Sequence, residues 1–179
     1  MIAPVTISMR KIVYPGTFDP ITNGHVSMIE RASRMFDHIV IAIADNHKKQ
    51  PLFSLTERQK LAEAVTSSLD QHCTVEVEVF SGLLGDVLQR HACHMVLRGL
   101  RTAQDFDYEI QMSHINHKLN HAMETVCLMA REPHTCISSS WVKELAKLGA
   151  KLECFVPPMV AQALAAKFTT PGTSSVHDQ

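Results

Sequence analysis

The pair Gly24-His25, just inside a segment of helical period, is the part of this chain best suited to hold a phosphate. The first turn of a helix has unpaired backbone N–H groups, and the aligned peptide dipoles put partial positive charge at the same place, so an anion is stabilised there. Gly16 and Gly24 omit side chains where a phosphate must approach the backbone, and His25 can aim an imidazole N–H at the same oxygen. Other stretches carry compatible groups: Lys48-Lys49, Ser81 to Leu84, Arg98-Gly99-Leu100-Arg101, and the run from Arg131 to Ile137-Ser138-Ser139-Ser140. Together they suit the binding of a polyphosphate by cations, hydroxyls and backbone N–H groups.

The elements that must position these residues follow from hydrophobic periodicity. Strand-length apolar runs at 10–14, 38–44, 74–79, 95–98 and 125–129 alternate with helical patterns at 23–35, 55–69, 84–92, 103–121, 139–148 and about 158–168. Strands apolar on both faces and separated by helices predict a single α/β domain over 10–168 with an open, doubly wound parallel sheet. Ser54-Leu55-Thr56-Glu57 has capping-box spacing, Ser138 to Ser140 before Trp141 reads as an N-cap, and Pro157-Pro158 can open the last helix. In such a sheet, ligands gather beyond the carboxyl ends of the strands where strand order reverses. The loops after 14, 44, 79, 98 and 129 are therefore expected to converge, bringing the cations and hydroxyls to one edge.

Composition narrows the function classes. The chain has 179 residues, 45% of them hydrophobic, with 17 basic and 18 acidic residues and a net charge of −1, so it carries no broad basic surface for nucleic acid or an anionic membrane. No apolar run is long enough to span a bilayer, and residues 1–9 lack the pattern of a secretory signal, so a cytoplasmic location is expected. Residues 1–9 read as an extension, with Met1 or Met9 as alternative starts, and 169–179 as a tail with too little apolar surface to pack. Five widely spaced cysteines without a Cys-x-x-Cys pair suggest reduced, mostly buried thiols. His114, His117 and His121 share a helical face, but no carboxylate or cysteine completes a ligand set; an exposed or interface stripe is expected, and no metal site. Arg98 and Arg101 have a competing use, as ion-pair partners of Asp105 or Glu109.

The run Tyr14-Pro15-Gly16-Thr17-Phe18-Asp19-Pro20-Ile21-Thr22-Asn23-Gly24-His25 closely resembles the N-terminal signature of the phosphopantetheine adenylyltransferases. These are nucleotidyltransferases with a (His/Thr)-x-Gly-His motif and a Rossmann-like fold. Similarity extends from about Arg10 to Phe168 and includes Phe36-Asp37-His38, Arg98 to Arg101, Asp105 to Glu109 and Ile137 to Ser140. The resemblance implies transfer of the adenylyl group of ATP to 4′-phosphopantetheine, giving dephospho-coenzyme A and pyrophosphate. It implies that His25 is the catalytic residue, that Thr17 touches both substrates, and that Lys49, Leu84 and Arg98 hold phosphopantetheine. Phe18, His25, Gly99, Leu100, Arg101, Glu109 and the segment His134, Thr135, Cys136, Ile137, Ser138, Ser139 and Ser140 would hold ATP. Mg²⁺ would arrive on the ATP phosphates, and a homohexamer with coenzyme A as feedback inhibitor is implied as well. Transfer to nicotinate mononucleotide, flavin mononucleotide or glycerol 3-phosphate is the nearest alternative, followed by a nucleotide-binding module without catalysis.

Overall fold

Ile12, Val13, Ile39, Val40, Ile41, Ala42, Ile43, Val96 and Leu97 are fully buried, as strands covered on both faces require. In the computed structural model, which describes residues 9–46, 50–69, 72–135 and 137–168, these residues form the centre of a five-stranded parallel sheet. The strands are β1 (Lys11–Gly16), β2 (His38–Ala44), β3 (Thr74–Phe80), β4 (Met95–Leu100) and β5 (Glu124–Met129). The helices are α1 (Asn23–Ala32), α2 (Leu55–Ser67), α3 (Leu84–Arg90), α4 (Ala103–Leu119), α5 (Ser139–Lys147) and α6 (Pro158–Phe168). Every element predicted from periodicity is present, in the predicted order. The expected extension, apart from Met9, and the tail 169–179 lie outside the described residues. Among the described residues, no helix is long and apolar enough to cross a membrane.

Strand order is β3-β2-β1-β4-β5. The chain builds outward from β1 to β3 and then returns to place β4 on the other side of β1, so the reversal of direction falls between β1 and β4. Alternate residues of the central strands feed two cores. Ile12, Ile39, Ile41 and Leu97 pack with residues of α1, α2, α5 and α6; Val13, Val40, Ala42 and Val96 pack with Val87 and Leu88 of α3.

Helices α1 to α4 end two or three residues before the sequence reading, and two strand ends at the crevice run past it. β1 continues through Pro15 and Gly16, which pair with Ala42 and Ile43 of β2. Proline is tolerated here because the ladder pairing with β4 is confined to Val13↔Val96, so no N–H is required of Pro15 on that side. β4 likewise runs to Leu100, held by pairing of Gly99 and Leu100 with Leu128 and Met129 of β5. The cysteines also depart from expectation. Cys93 is buried, with its thiol donating to Lys11 O at 3.3 Å, but Cys127 and Cys154 are exposed, because β5 is an edge strand and Cys154 lies between α5 and α6. The four described cysteines are free. His114 and His117 are exposed on α4, a helix with no buried residue, and His121 is exposed in the turn just past its end.

Candidate active site

A cavity of about 560 Å³ opens at the carboxyl ends of β1 and β4, within the size range of small-molecule sites. The first loop enters it through residues 16–19. Arg58 of α2 is only 1% exposed and donates to Thr17 O at 2.8 Å, Ala44 O at 3.0 Å and Phe53 O at 3.2 Å, so one guanidinium fixes the first loop against the end of β2. Asp19, 3% exposed, accepts from the N–H groups of Leu52 and Phe53, both at 2.9 Å, and from Lys143 Nζ at 2.6 Å, tying the loop to α5. Ser139 Oγ donates to Pro20 O at 2.9 Å. The loop is therefore prearranged by buried polar contacts.

The start of α1 explains how His25 is aimed. Thr22 is the N-cap, and the ring of His25 takes the position that Glu or Gln usually fills in a capping box. The Thr22 N–H donates to His25 Nδ1 at 3.0 Å. A backbone N–H can only donate, so Nδ1 is the unprotonated nitrogen and the proton of the neutral ring resides on Nε2. The ring lies against Phe18, with centroids 4.9 Å apart, at the floor of the open cleft. Burial, followed by the positive field of Arg101, pushes its pKa down to about 4. At pH 7 His25 is thus a neutral donor through Nε2.

This shift carries a stability prediction. The unfolded imidazole titrates near 6.5. Between pH 6.5 and about 4 the unfolded chain takes up a proton that the folded chain refuses, so the contribution of His25 is complete above pH 6.5 and is lost as pH falls toward 4. The urea midpoint of the wild type is expected to fall more across this window than that of His25→Ala. Parallel pH profiles would contradict the burial of the ring.

Backbone donors complete the site. Asn23 N–H is taken by Phe155 O at 2.9 Å, and Val26 N–H by Thr22 O at 3.0 Å, while Gly24 N–H has no partner among the described residues. At α5, Ser138 is the N-cap and accepts from Trp141 N–H at 3.2 Å, leaving the N–H groups of Ser139 and Ser140 open among the described residues. Gly24, Ser139 and Ser140 all line the cavity, so two helix N-termini present unpaired donors to one space.

Most residues singled out by sequence meet here. Thr17, Phe18, His25, Arg98, Gly99, Arg101, Glu109, His134, Ile137 and Ser138 to Ser140 line the cavity. Phe18 is only 2% exposed, and its backbone, at φ 47°, turns the loop. Leu84, Leu100 and Thr135 are not in the lining. Leu84 opens α3 and packs on the second core, Leu100 is buried, and Thr135 Oγ1 donates to Glu132 Oε1 at 2.6 Å. Lys48, Lys49 and Cys136 lie outside the described residues. The competing use of the arginines is realised in the same place, since Arg98 Nε pairs with Glu109 at 3.1 Å and Arg101 Nε with Asp105 at 3.2 Å.

Gly16 has a different reason from the one its place in the motif suggests. A Cβ there would lie 2.9 Å from the ring of Phe18, so Gly16 makes room for that ring rather than only for a ligand. Gly16→Ala is expected to cost about 1–3 kcal/mol of stability by displacing a packed aromatic, measurable by denaturant unfolding. An unchanged midpoint would show that the ring moves without cost.

A family model described as cytidylyltransferase-like matches residues 13–145, which includes the carboxyl end of β1, both open helix N-termini and the Arg98 to Arg101 block. The chain belongs to the cytidylyltransferase-like family. That membership makes it a nucleotidyltransferase in broad class. Its fold is shared with a Vibrio parahaemolyticus protein named as a nicotinate-nucleotide adenylyltransferase, at 16% identity and TM-score 0.66, over 90% of this chain and 98% of the other. It is also shared with the Plasmodium falciparum nicotinic acid mononucleotide adenylyltransferase complexed with NaAD, at 13% identity and TM-score 0.66, over 89% and 96%.

Proposed function

We propose that this nucleotidyltransferase moves the adenylyl group of ATP to 4′-phosphopantetheine, forming dephospho-coenzyme A and pyrophosphate. The observation that carries the reading is the junction of Thr17-Phe18, the Nε2 donor of His25, the open N–H groups of α1 and α5, and the Arg98 to Arg101 block around one cavity. The acceptor phosphate is already anionic at neutral pH, so attack on the α-phosphorus needs neither a protein nucleophile nor a general base. The chain's task is to align acceptor and nucleotide and to receive the charge that grows on the α-phosphate and on the leaving pyrophosphate. His25, Arg101, Gly24 N–H and the Ser139 and Ser140 N–H groups are the donors for that charge.

Arg98 and Thr17 are assigned to the acceptor, and the resemblance assigns Lys49 and Leu84 to it as well. Mg²⁺ belongs to the nucleotide substrate: the cavity carboxylates Asp19 and Glu109 are committed to Lys143 and Arg98. Assembly as a homohexamer and feedback by coenzyme A form part of the same proposal.

A second acceptor comes from the two similar structures, whose names refer to nicotinate mononucleotide. The test is pyrophosphate release with ATP and Mg²⁺ and each acceptor in turn. Turnover with phosphopantetheine at least tenfold above nicotinate mononucleotide is expected. The reverse order would replace the acceptor, and no release with any phosphate acceptor would remove the enzyme reading.

A further inference from the structure

Several polar side chains that line the cavity are committed within the protein. Asp19 holds Lys143, Glu109 holds Arg98, Thr22 Oγ1 meets the ring of His25 at 2.9 Å, and Ser139 Oγ donates to Pro20 O. Tyr14 is different. It is only 7% exposed, yet its hydroxyl has no hydrogen-bond partner among the described residues. Nor is that hydroxyl sealed in. The fully buried side-chain polar atoms without a partner, among the described residues, are His38 Nε2 and His134 Nδ1, so the phenol oxygen touches accessible space. The space that Tyr14 lines is the cavity. A buried tyrosine hydroxyl ordinarily finds its partner inside the protein, and this one is left for a ligand.

Packing does not account for the hydroxyl. The ring of Tyr14 belongs to the main core, edge-on to Phe18 with centroids 5.4 Å apart, and its centroid lies 6.2 Å from that of His25. Phenylalanine would fill the same space and avoid the cost of a poorly solvated polar group. Burial raises the phenol pKa and outweighs the fields of Arg98 and Arg101, so at neutral pH the group is an intact O–H donor. It stands in the fields of both arginines, one assigned to the acceptor and one to the nucleotide, and beside the imidazole assigned to the charge of the transferred phosphate.

We propose that the Tyr14 hydroxyl is a catalytic hydrogen-bond donor to the phosphoryl group in transfer, placed beside His25 where the acceptor meets the nucleotide. This deepens the adenylyl-transfer reading and rests on it. In the step, an acceptor phosphate oxygen bonds to the α-phosphorus. The bond from that phosphorus to the leaving pyrophosphate breaks, and its electron pair departs with the pyrophosphate. The phenol proton stays on Tyr14 throughout. A fixed neutral donor gains most as charge grows on the oxygen it meets, so its effect falls on turnover rather than on ground-state binding.

The test measures pyrophosphate release by the full chain with Mg²⁺, ATP and the phosphate acceptor that the wild type turns over fastest, in the wild type and Tyr14→Phe. In the variant kcat should fall about tenfold or more while both KM values stay within about twofold, the pattern of an interaction made only in the transition state. The urea midpoint should be unchanged or higher, because the substitution removes a hydroxyl that has no protein partner. A lower midpoint together with a lower kcat would make the hydroxyl structural and overturn the proposal. So would a rise in the KM for the acceptor alone, which would move the hydroxyl to acceptor binding. Unchanged turnover in Tyr14→Phe would overturn this assignment and leave the adenylyl-transfer reading standing. No pyrophosphate release from the wild type with any phosphate acceptor would instead remove that reading, and the role of Tyr14 with it.

Discussion

His25→Ala is expected to lower kcat for adenylyl transfer by on the order of 10² to 10³, the effect of removing one donor that meets charge developing in the transition state. The variant is expected to fold, because His25 is only half-buried and is not itself a member of the main core. It loses about 1 kcal/mol, since Thr22 N–H forfeits its acceptor at 3.0 Å. A second substitution separates the two roles. His25→Glu supplies the residue normally found at this position of a capping box, so the cap returns, but a carboxylate has no N–H for the nucleotide. Stability is expected to recover toward the wild type while kcat remains depressed. Recovery of turnover by His25→Glu would mean that the cap, not the Nε2 donor, is what the reaction needs.

Arg58→Met is the most destabilising single change expected outside the hydrophobic core. Three backbone carbonyls, of Thr17, Ala44 and Phe53, lose their donor together, at about 1–3 kcal/mol for each buried group left unpaired. Removing a buried charge offsets part of this loss, so a net cost of about 3–5 kcal/mol is expected in urea unfolding. Arg58→Lys recovers little, because an ammonium cannot reproduce the fork that reaches carbonyls on separate segments. At denaturant-free conditions where the variant remains folded, KM for both substrates should rise, as Thr17 and Phe18 lose their anchor. Wild-type stability in Arg58→Met would contradict the role of this guanidinium as the organiser of the first loop.

Arg58 also shows what could and could not be read from the sequence. Glu57-Arg58-Gln59-Lys60 has the composition of a solvated charged stretch, which masks the buried role of the arginine. Its spacing from Ala62, Val65 and Thr66 nevertheless places it on the buried face of α2, so the helical period alone held the clue. The capping role of His25 was hidden for another reason, since the familiar box ends in Glu or Gln and this one ends in a ring. The alternation of apolar strands and helical segments was fully legible, because burial on both faces of a parallel strand writes itself into the residue types. The pairing of Asp19 with Lys143, 124 residues apart, was not, since no local pattern encodes which buried acid meets which distant base. Nor was the direction of Phe18, which depends on one positive φ and on the absence of a Cβ at Gly16.

In the free protein His25 is a neutral imidazole whose Nδ1 accepts from Thr22 N–H, leaving its Nε2–H for a nucleotide phosphate bound in the cavity. Two-dimensional ¹H–¹⁵N NMR of protein labelled at histidine reads the tautomer directly, with and without ATP at pH 7. The expected spectrum shows His25 protonated only on Nε2, with that nitrogen shifting when ATP is added. A proton on Nδ1, a doubly protonated ring in the free protein, or an Nε2 resonance indifferent to saturating ATP would contradict it.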